Sequence, residues 1–272
     1  MCRSVRACRS VASVHGAEYV LFCPYRQTER PGNTDFISRI GEKNMKSGKK
    51  DIFWGLLTGG LLTGIEALAY GGSVRIADAL GIQTVLLSGT KLDSMIPTCP
   101  AFVFVYISAY AFWVLGPIWI LRDGRAHAAD FIVTYLLALC ICEVILIVFP
   151  TGMDRVKAGC FPADKTGVSW KVLFFIYSID GGETENCMVP SLHCLVSVFY
   201  YLEIREIQWI RKEHRLMVLL FVVLIILSTM FTKQHFWYDC AAGTLLAVIC
   251  HDGIGRFHPG SRFLKEASDD YK

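Results

Sequence analysis

The chain has 272 residues, of which 53% are hydrophobic and only 19% charged, with a formal net charge of +3. An ordinary soluble domain carries about a quarter charged residues. The small net charge, with no basic cluster interleaved with aromatics, excludes a nucleic-acid binder, and the apolar excess points to a membrane.

Residues 1 to 44 differ in character from the rest of the chain: Arg3, Arg6 and Arg9, three cysteines, the turn-rich stretch ERPGNTD, and no apolar core of a signal peptide. They read as a disordered basic tail. Met1 and Met45, the latter followed by KSGKKDIFWG, are both open as the natural start.

Six apolar runs come next. Ile52 to Val74 is interrupted only by Glu66, and Ser94 to Leu121 contains no Asp, Glu, Lys or Arg over 28 residues. Roughly 20 apolar residues suffice to cross a bilayer. Phe131 to Pro150, Val189 to Leu202, Leu216 to Thr232 and His235 to Cys250 complete the set. None alternates as a barrel strand would, and backbone at bilayer depth must satisfy its own hydrogen bonds, so the runs predict helices. The expected fold is all-α: a polytopic membrane bundle of six transmembrane helices over residues 51–255, with a basic tail over 1–50 and a cytoplasmic tail over 256–272.

Charge in the loops orients the bundle. From Arg39 onward, 15 Lys and Arg fall on the side of both termini and 7 on the other. By the positive-inside rule both termini are cytoplasmic and the intervening loops face outward, as in a protein integral to the cell or plasma membrane. Glu66 and Glu143, inside spans, are expected to face the bundle interior and find a partner. His127, His214, His251 and His258 lie in or beside cytoplasmic segments and read as solvated.

Eleven cysteines with no Cys-x-x-Cys pair support neither a zinc site nor a full disulfide framework. Cys140, Cys142, Cys240 and Cys250 read as helix-packing residues. Cys99, Cys160 and Cys187 lie near the outer side, where a disulfide is chemically permitted. The long third loop has an apolar middle, Trp170 to Ile179, suited to a short interfacial helix or a re-entrant segment.

The polar residues at the outer ends of these runs carry the chemistry. His235 and Asp239 are four apart, so on a helix a carboxylate can hold an imidazole in one orientation. That pairing makes a nucleophile or a base, and a histidine attacking phosphorus gives a phosphohistidine. His193 opens the fourth run behind Pro190, which suits a first helical turn, and Ser191, which offers a hydroxyl and an N–H. Helix N-termini attract phosphate. Arg155 supplies a donor fork matched to phosphate oxygens, and Lys233 a point charge two residues before His235. Taken singly, each has a plainer reading: His193 as an interfacial histidine, Arg155 as a loop charge beside headgroups. Their joint occurrence, in order and on one expected face, favours a phosphoester site.

Arg155, Pro-Ser-x-His at 190–193 and Ser228-x6-His235-x3-Asp239 together resemble the motifs of the type 2 phosphatidic acid phosphatase superfamily, Lys-x6-Arg-Pro, Pro-Ser-x-His and Ser-Arg-x5-His-x3-Asp. KLDSMIP at 91–97 and TKQHFWYD look like the branch containing inositol phosphorylceramide synthase-like proteins. The likeness covers roughly residues 93 to 245. It departs where Val148 stands for the family lysine, Val156 for the proline and Thr229 for the arginine. Lys233 is one candidate to restore a missing cation, and Lys157 or Lys165 another.

The resemblance implies a metal-independent lipid-phosphate phosphatase working without a cofactor through a phosphohistidine. His235 would attack, Asp239 would steady it, His193 would protonate the leaving alcohol, and Arg155, Ser191 and Lys233 would bind phosphate. The expected partners are a lipid phosphate and the membrane lipids, with no nucleic acid. Two alternatives stay open: a phosphotransferase moving a headgroup phosphoryl to an alcohol, and a catalytically silent lipid-binding or transport homologue.

Overall fold

The computed structural model describes residues 11–14, 17–20, 48–161, 166–180, 184–186 and 188–269. The chain divides into two units, Met1–Lys43 and Asn44–Lys272. Within the first, strands β1 (Val11–Val14) and β2 (Ala17–Val20) pair antiparallel. Lys165 and Cys187 lie outside the described residues.

The second unit is a helical bundle. Helices α1 (Gly48–Ala79), α3 (Val103–Asp123), α4 (Arg125–Val148) and α7 (Lys212–Phe231) are long and apolar enough to cross a membrane. Two further helices occupy the remaining expected spans, α6 (Leu192–Glu206) and α8 (Trp237–Ile254), but neither meets that criterion. The reason is visible in α6. At 15 residues it covers about 22 Å, and nearly all of its side chains are buried against α3, α7 and α8, so it tolerates His193, Ser197 and Glu203 within a helix shielded from lipid.

The charge-free run from Ser94 does not form one helix. A short helix, α2 (Lys91–Met95), ends at Ile96, and a 3-10 turn over Pro100–Phe102 precedes α3. Pro97 and Pro100 account for the break, since each lacks an amide donor and restricts the residue before it. Helix α1 lies tight on α3 because Gly55 and Gly59 leave no side chain between them. A Cβ at Gly55 would strike Ile118 and one at Gly59 would strike the Val114 backbone, the small-residue contact common between membrane helices.

At one end of the bundle three short strands tie the loops together. β3 (Val85–Leu87), which follows α1, runs parallel to β4 (Thr151–Asp154), which follows α4. β4 also pairs antiparallel with β5 (Thr184–Asn186), just before α6. Helix α5 (Val168–Ile179) occupies the apolar middle of the long loop. Its Leu173 and Tyr177 join Val103, Met153, Cys160, Met188 and Phe236 in an apolar cluster at this end, separate from the main core around Trp113, Tyr135, Phe199 and Tyr200.

Polar groups within and beyond the bundle are mostly engaged. Glu66 accepts from the Tyr135 hydroxyl at 3.4 Å, and Ser73 donates to Glu143. Both carboxylates face the interior. Two of the four histidines expected to be solvated are not. His251 is buried beside Glu203, and His127 lies between Asp123 (2.8 Å) and Glu203 (2.9 Å), because α4, α6 and α8 converge there. Past residue 255, helix α9 (Pro259–Asp269) packs on α4, with the Ser261 N–H donating to Asp130. Cys142, Cys160, Cys240 and Cys250 are buried, whereas Cys140 is exposed on the bundle surface and Cys99 is half-buried.

Candidate active site

The sheet end of the bundle collects the expected site residues. Ser191 caps α6, its Oγ accepting from the Cys194 N–H at 3.4 Å, which places His193 in the first turn. The Ser191 N–H donates to the carbonyl of Asp239 at 3.2 Å, so the starts of α6 and α8 are joined by a backbone hydrogen bond. Asp239 sits in the first turn of α8, and its Oδ2 accepts from the Phe236 N–H at 2.8 Å.

His235 occupies the turn just before α8, buried, with Nδ1 3.6 Å from Asp239 Oδ2. That separation exceeds a hydrogen bond; catalytic contacts of this kind often tighten only when substrate binds. Nδ1 is the ring nitrogen turned to the carboxylate. Asp239 Oδ1 is buried and makes no hydrogen bond among the described residues.

His193 is held by aromatic rings from α3. Tyr106 stacks on it with centroids 4.1 Å apart and planes 15° from parallel, while Tyr110 and Trp113 meet it edge-on at 5.3 and 4.8 Å. These three lie at positions i, i+4 and i+7 of one helix face. The Trp113 indole N–H is anchored on Ser197 Oγ at 3.0 Å. His193 Nε2 makes no hydrogen bond among the described residues, and the imidazole is close enough to His235 for their charges to interact.

Arg155 follows β4 and is fully buried. Its Nη1 donates to the Tyr177 carbonyl at 3.3 Å and its Nη2 to Gln234 Oε1 at 2.8 Å, with the guanidinium 4.4 Å above the Tyr177 ring. A buried charge held this way has little freedom to move, and such a group costs reorganisation energy only once, during folding.

Lys233 reaches the end of α2. Its Nζ donates to the carbonyls of Asp93 (2.9 Å) and Ile96 (2.6 Å), and burial pulls its pKa down. These bonds occupy two of the three ammonium donors. Lys157 is exposed and paired with Asp154 at 2.9 Å, so it does not replace a missing cation.

Two polar residues joined to the site are not expected from the sequence. Gln234 is buried beside Arg155, and because its oxygen accepts from Nη2 its amide nitrogen turns toward Asp180 at the end of α5, without a hydrogen bond of ordinary length. Burial raises the Asp180 carboxyl above its usual range, while Arg155 and His235 pull the other way. Gln234 lies inside the third motif, directly before His235, and that position is the signal that could have found it. Asp180 and the aromatic holders of His193 carry no sequence signal beyond their residue types.

Taken together, a helical membrane bundle with two imidazoles, a carboxylate behind one of them and a buried guanidinium at the same end defines a membrane protein equipped for phosphoester chemistry. The chain belongs to the PAP2 superfamily, whose family model matches residues 74–252. No curated protein and no solved structure gives a match. The matched span contains every expected site residue and begins just before the β3 connector.

Proposed function

We propose that the protein is a membrane lipid-phosphate phosphatase that hydrolyses a phosphomonoester through a phosphohistidine on His235. The carrying observation is the joining of the α6 and α8 starts through the Ser191 N–H and the Asp239 carbonyl, which brings the His193 turn beside the His235–Asp239 pair.

In the first step His235 Nε2 attacks phosphorus and the bond from phosphorus to the alkyl oxygen breaks, with protonated His193 giving its proton to the departing alkoxide. In the second, water attacks the phosphohistidine, His193 takes the water proton, and the P–N bond breaks to release phosphate. Asp239 steadies the charge the His235 ring gains. Arg155 faces the charge developing on the phosphoryl oxygens, the term that usually contributes most. The Ser191 N–H is already committed to Asp239, so the hydroxyl is what this residue offers. Arg155 and the helix N-terminus supply positive charge, so the reaction needs no divalent ion.

An open apolar groove of about 420 Å³ between α7 and α8, lined by Met230, Trp237, Cys240 and Leu245, offers a place for a lipid chain. The second reading, transfer to an alcohol, draws on a different observation. Arg155 is the one buried cation at this end among the described residues, which suits a singly charged diester better than a dianionic monoester.

The test is purified protein with phosphatidate and with a phosphodiester lipid, each with and without an alcohol acceptor and with chelator present. Phosphate release from phosphatidate that vanishes in His235→Ala supports the phosphatase. Product appearing only with diester and acceptor supports the transferase. Turnover that survives His235→Ala overturns both. The loop charges favour an outward-facing site, which impermeant thiol labelling of cysteines introduced at 157 and 265 checks from opposite sides.

A further inference from the structure

The connector between α1 and α3 carries none of the catalytic groups, yet it holds two of the elements that do. Its strand β3 pairs with β4, the strand that delivers Arg155, and Val85 N–H donates to the Pro150 carbonyl at 2.9 Å. A few residues later the same connector grips the turn that bears His235. Asp93 is buried there. Its Oδ1 accepts from the Trp237 N–H at 2.9 Å, and its Oδ2 accepts from the Thr90 N–H and hydroxyl at 2.8 and 2.7 Å. Its carbonyl receives Lys233 Nζ. The Trp237 indole donates to Thr90 Oγ1 at 3.0 Å and the Tyr238 hydroxyl to the Ser88 carbonyl at 3.2 Å.

The consequence lies in how the first turn of α8 is capped. The first amides of a helix have no partner inside it. Asp239 takes one of them, from Phe236, and Asp93 takes the next, from Trp237, across 144 residues of sequence. Were Asp93 absent, the Trp237 amide would compete for the Asp239 carboxylate, the group 3.6 Å from His235. Lys233 adds a second constraint, since its backbone has φ of 51°, a left-handed conformation that a lysine adopts at a cost unless something fixes it. The two carbonyls that hold its ammonium are that fixture.

We propose that the connector over residues 85–96 is the frame that sets the nucleophile turn against the Arg155 strand, with Asp93 as its positioning residue. It keeps the Trp237 amide off Asp239, whose Oδ2 serves the Phe236 N–H and faces His235. This rests on the reading of His235 as the nucleophile.

The test uses full-length Asp93→Ala, Asp93→Asn and Lys233→Met in detergent. Three readouts are taken: turnover of the lipid phosphate across pH, thermal stability, and amide hydrogen exchange of the peptide over 233–239. A misplacement of the reacting group costs on the order of 10²-fold, so kcat of Asp93→Ala falls by about that factor with KM nearly unchanged. Asp93→Asn falls less, because its oxygen still accepts from Trp237 while its amide meets the Thr90 N–H. The ascending limb of the pH–rate profile moves to lower pH in Asp93→Ala, since His235 loses part of its carboxylate; His193, Arg155, Asp180 and Cys240, the other ionisable groups around it, are unaltered. Exchange over 233–239 quickens in Asp93→Ala and Lys233→Met, and this readout needs no turnover.

A kcat within about twofold of wild type overturns the proposal, as does unchanged exchange over 233–239. Loss of activity in proportion to stability, with the pH limb unmoved, reduces Asp93 to a structural residue and overturns it as well. Wild-type turnover that does not depend on His235, with quickened exchange in Asp93→Ala, sinks the nucleophile assignment and keeps the frame.

Discussion

The Ser191 N–H donates to the carbonyl of Asp239 over 3.2 Å, and one turn further along α8 Gly243 lies directly against the Ser191 carbonyl. A Cβ at 243 would run into that carbonyl and come within 3.2 Å of Cys194 Cβ. The absence of a side chain is therefore what lets α8 approach the start of α6. Gly243→Ala is expected to cost about 1–3 kcal/mol through overpacking and to lower activity by more than its stability loss, since it separates His193 from His235. Gly60→Ala, on α1 with open space around it, is the matched control and should stay within about 0.5 kcal/mol of wild type. Thermal unfolding and turnover measured on both variants decide the matter; equal effects would show that the α6–α8 contact is not special.

The different duties proposed for the two imidazoles predict different responses to the leaving group. An alkyl alkoxide needs a proton as it departs, whereas a nitrophenolate does not. His193→Ala should lose about 10²- to 10⁴-fold on a lipid phosphate, the range for general acid catalysis, and on a nitrophenyl phosphate ester should recover most of the first step, seen as a burst of nitrophenolate ahead of slow dephosphorylation. His235→Ala should be inactive on both, having no atom to carry the phosphoryl group. Equal recovery in the two variants would exchange or abolish these roles.

Gln234 is the acceptor that holds one arm of the buried Arg155 fork. Gln234→Leu preserves the volume roughly and removes the oxygen, which strands a charged donor in a buried place. Hydrogen bonds to charged groups contribute about 1.5–3 kcal/mol, so kcat/KM should fall by roughly 10- to 100-fold. Gln234→Glu keeps an acceptor but adds a negative charge beside the phosphoryl position, and should raise KM for an anionic lipid above that of the leucine variant. A leucine variant with unchanged kinetics would mean that the other contacts of Arg155 are sufficient.

How much of the fold and site is legible in the sequence depends on the range of the cause. The apolar runs are local, and helices form in all six, because a helix satisfies its own backbone. The run from Ser94 departs from expectation at its start, where Pro97 and Pro100 break the backbone while leaving hydropathy unaltered. His193, Ser191, His235 and Asp239 are legible by spacing along the chain, and the backbone bond from Ser191 to Asp239 brings their two turns together. Lys233 shows what charge and proximity in sequence leave out: the carbonyls of Asp93 and Ile96, some 140 residues away, accept two hydrogen bonds from its ammonium. Asp180, Asp93 and the aromatic holders of His193 act through contacts whose partners are distant in sequence, so a single sequence gives them no distinguishing pattern.

Asp180 supplies a prediction about pH. Burial lifts its carboxyl above the ordinary 3.8, and the charges of Arg155 and His235 oppose that rise without cancelling it. A carboxyl raised in the folded state binds its proton more tightly there than in the unfolded chain, so the stability it contributes is fully present below the unfolded value and is lost as pH climbs through the folded one. At neutral pH the ionised group is therefore a burden on the fold. Asp180→Asn removes the titration while retaining a polar side chain toward Gln234. Its melting temperature should exceed that of wild type at pH 7 to 8, and the difference should shrink as the solution is acidified toward the ordinary carboxyl range. Thermal unfolding of the two proteins in one detergent across that range makes the comparison. A variant less stable than wild type at neutral pH would mean that attraction to Arg155 and His235 outweighs the cost of burial.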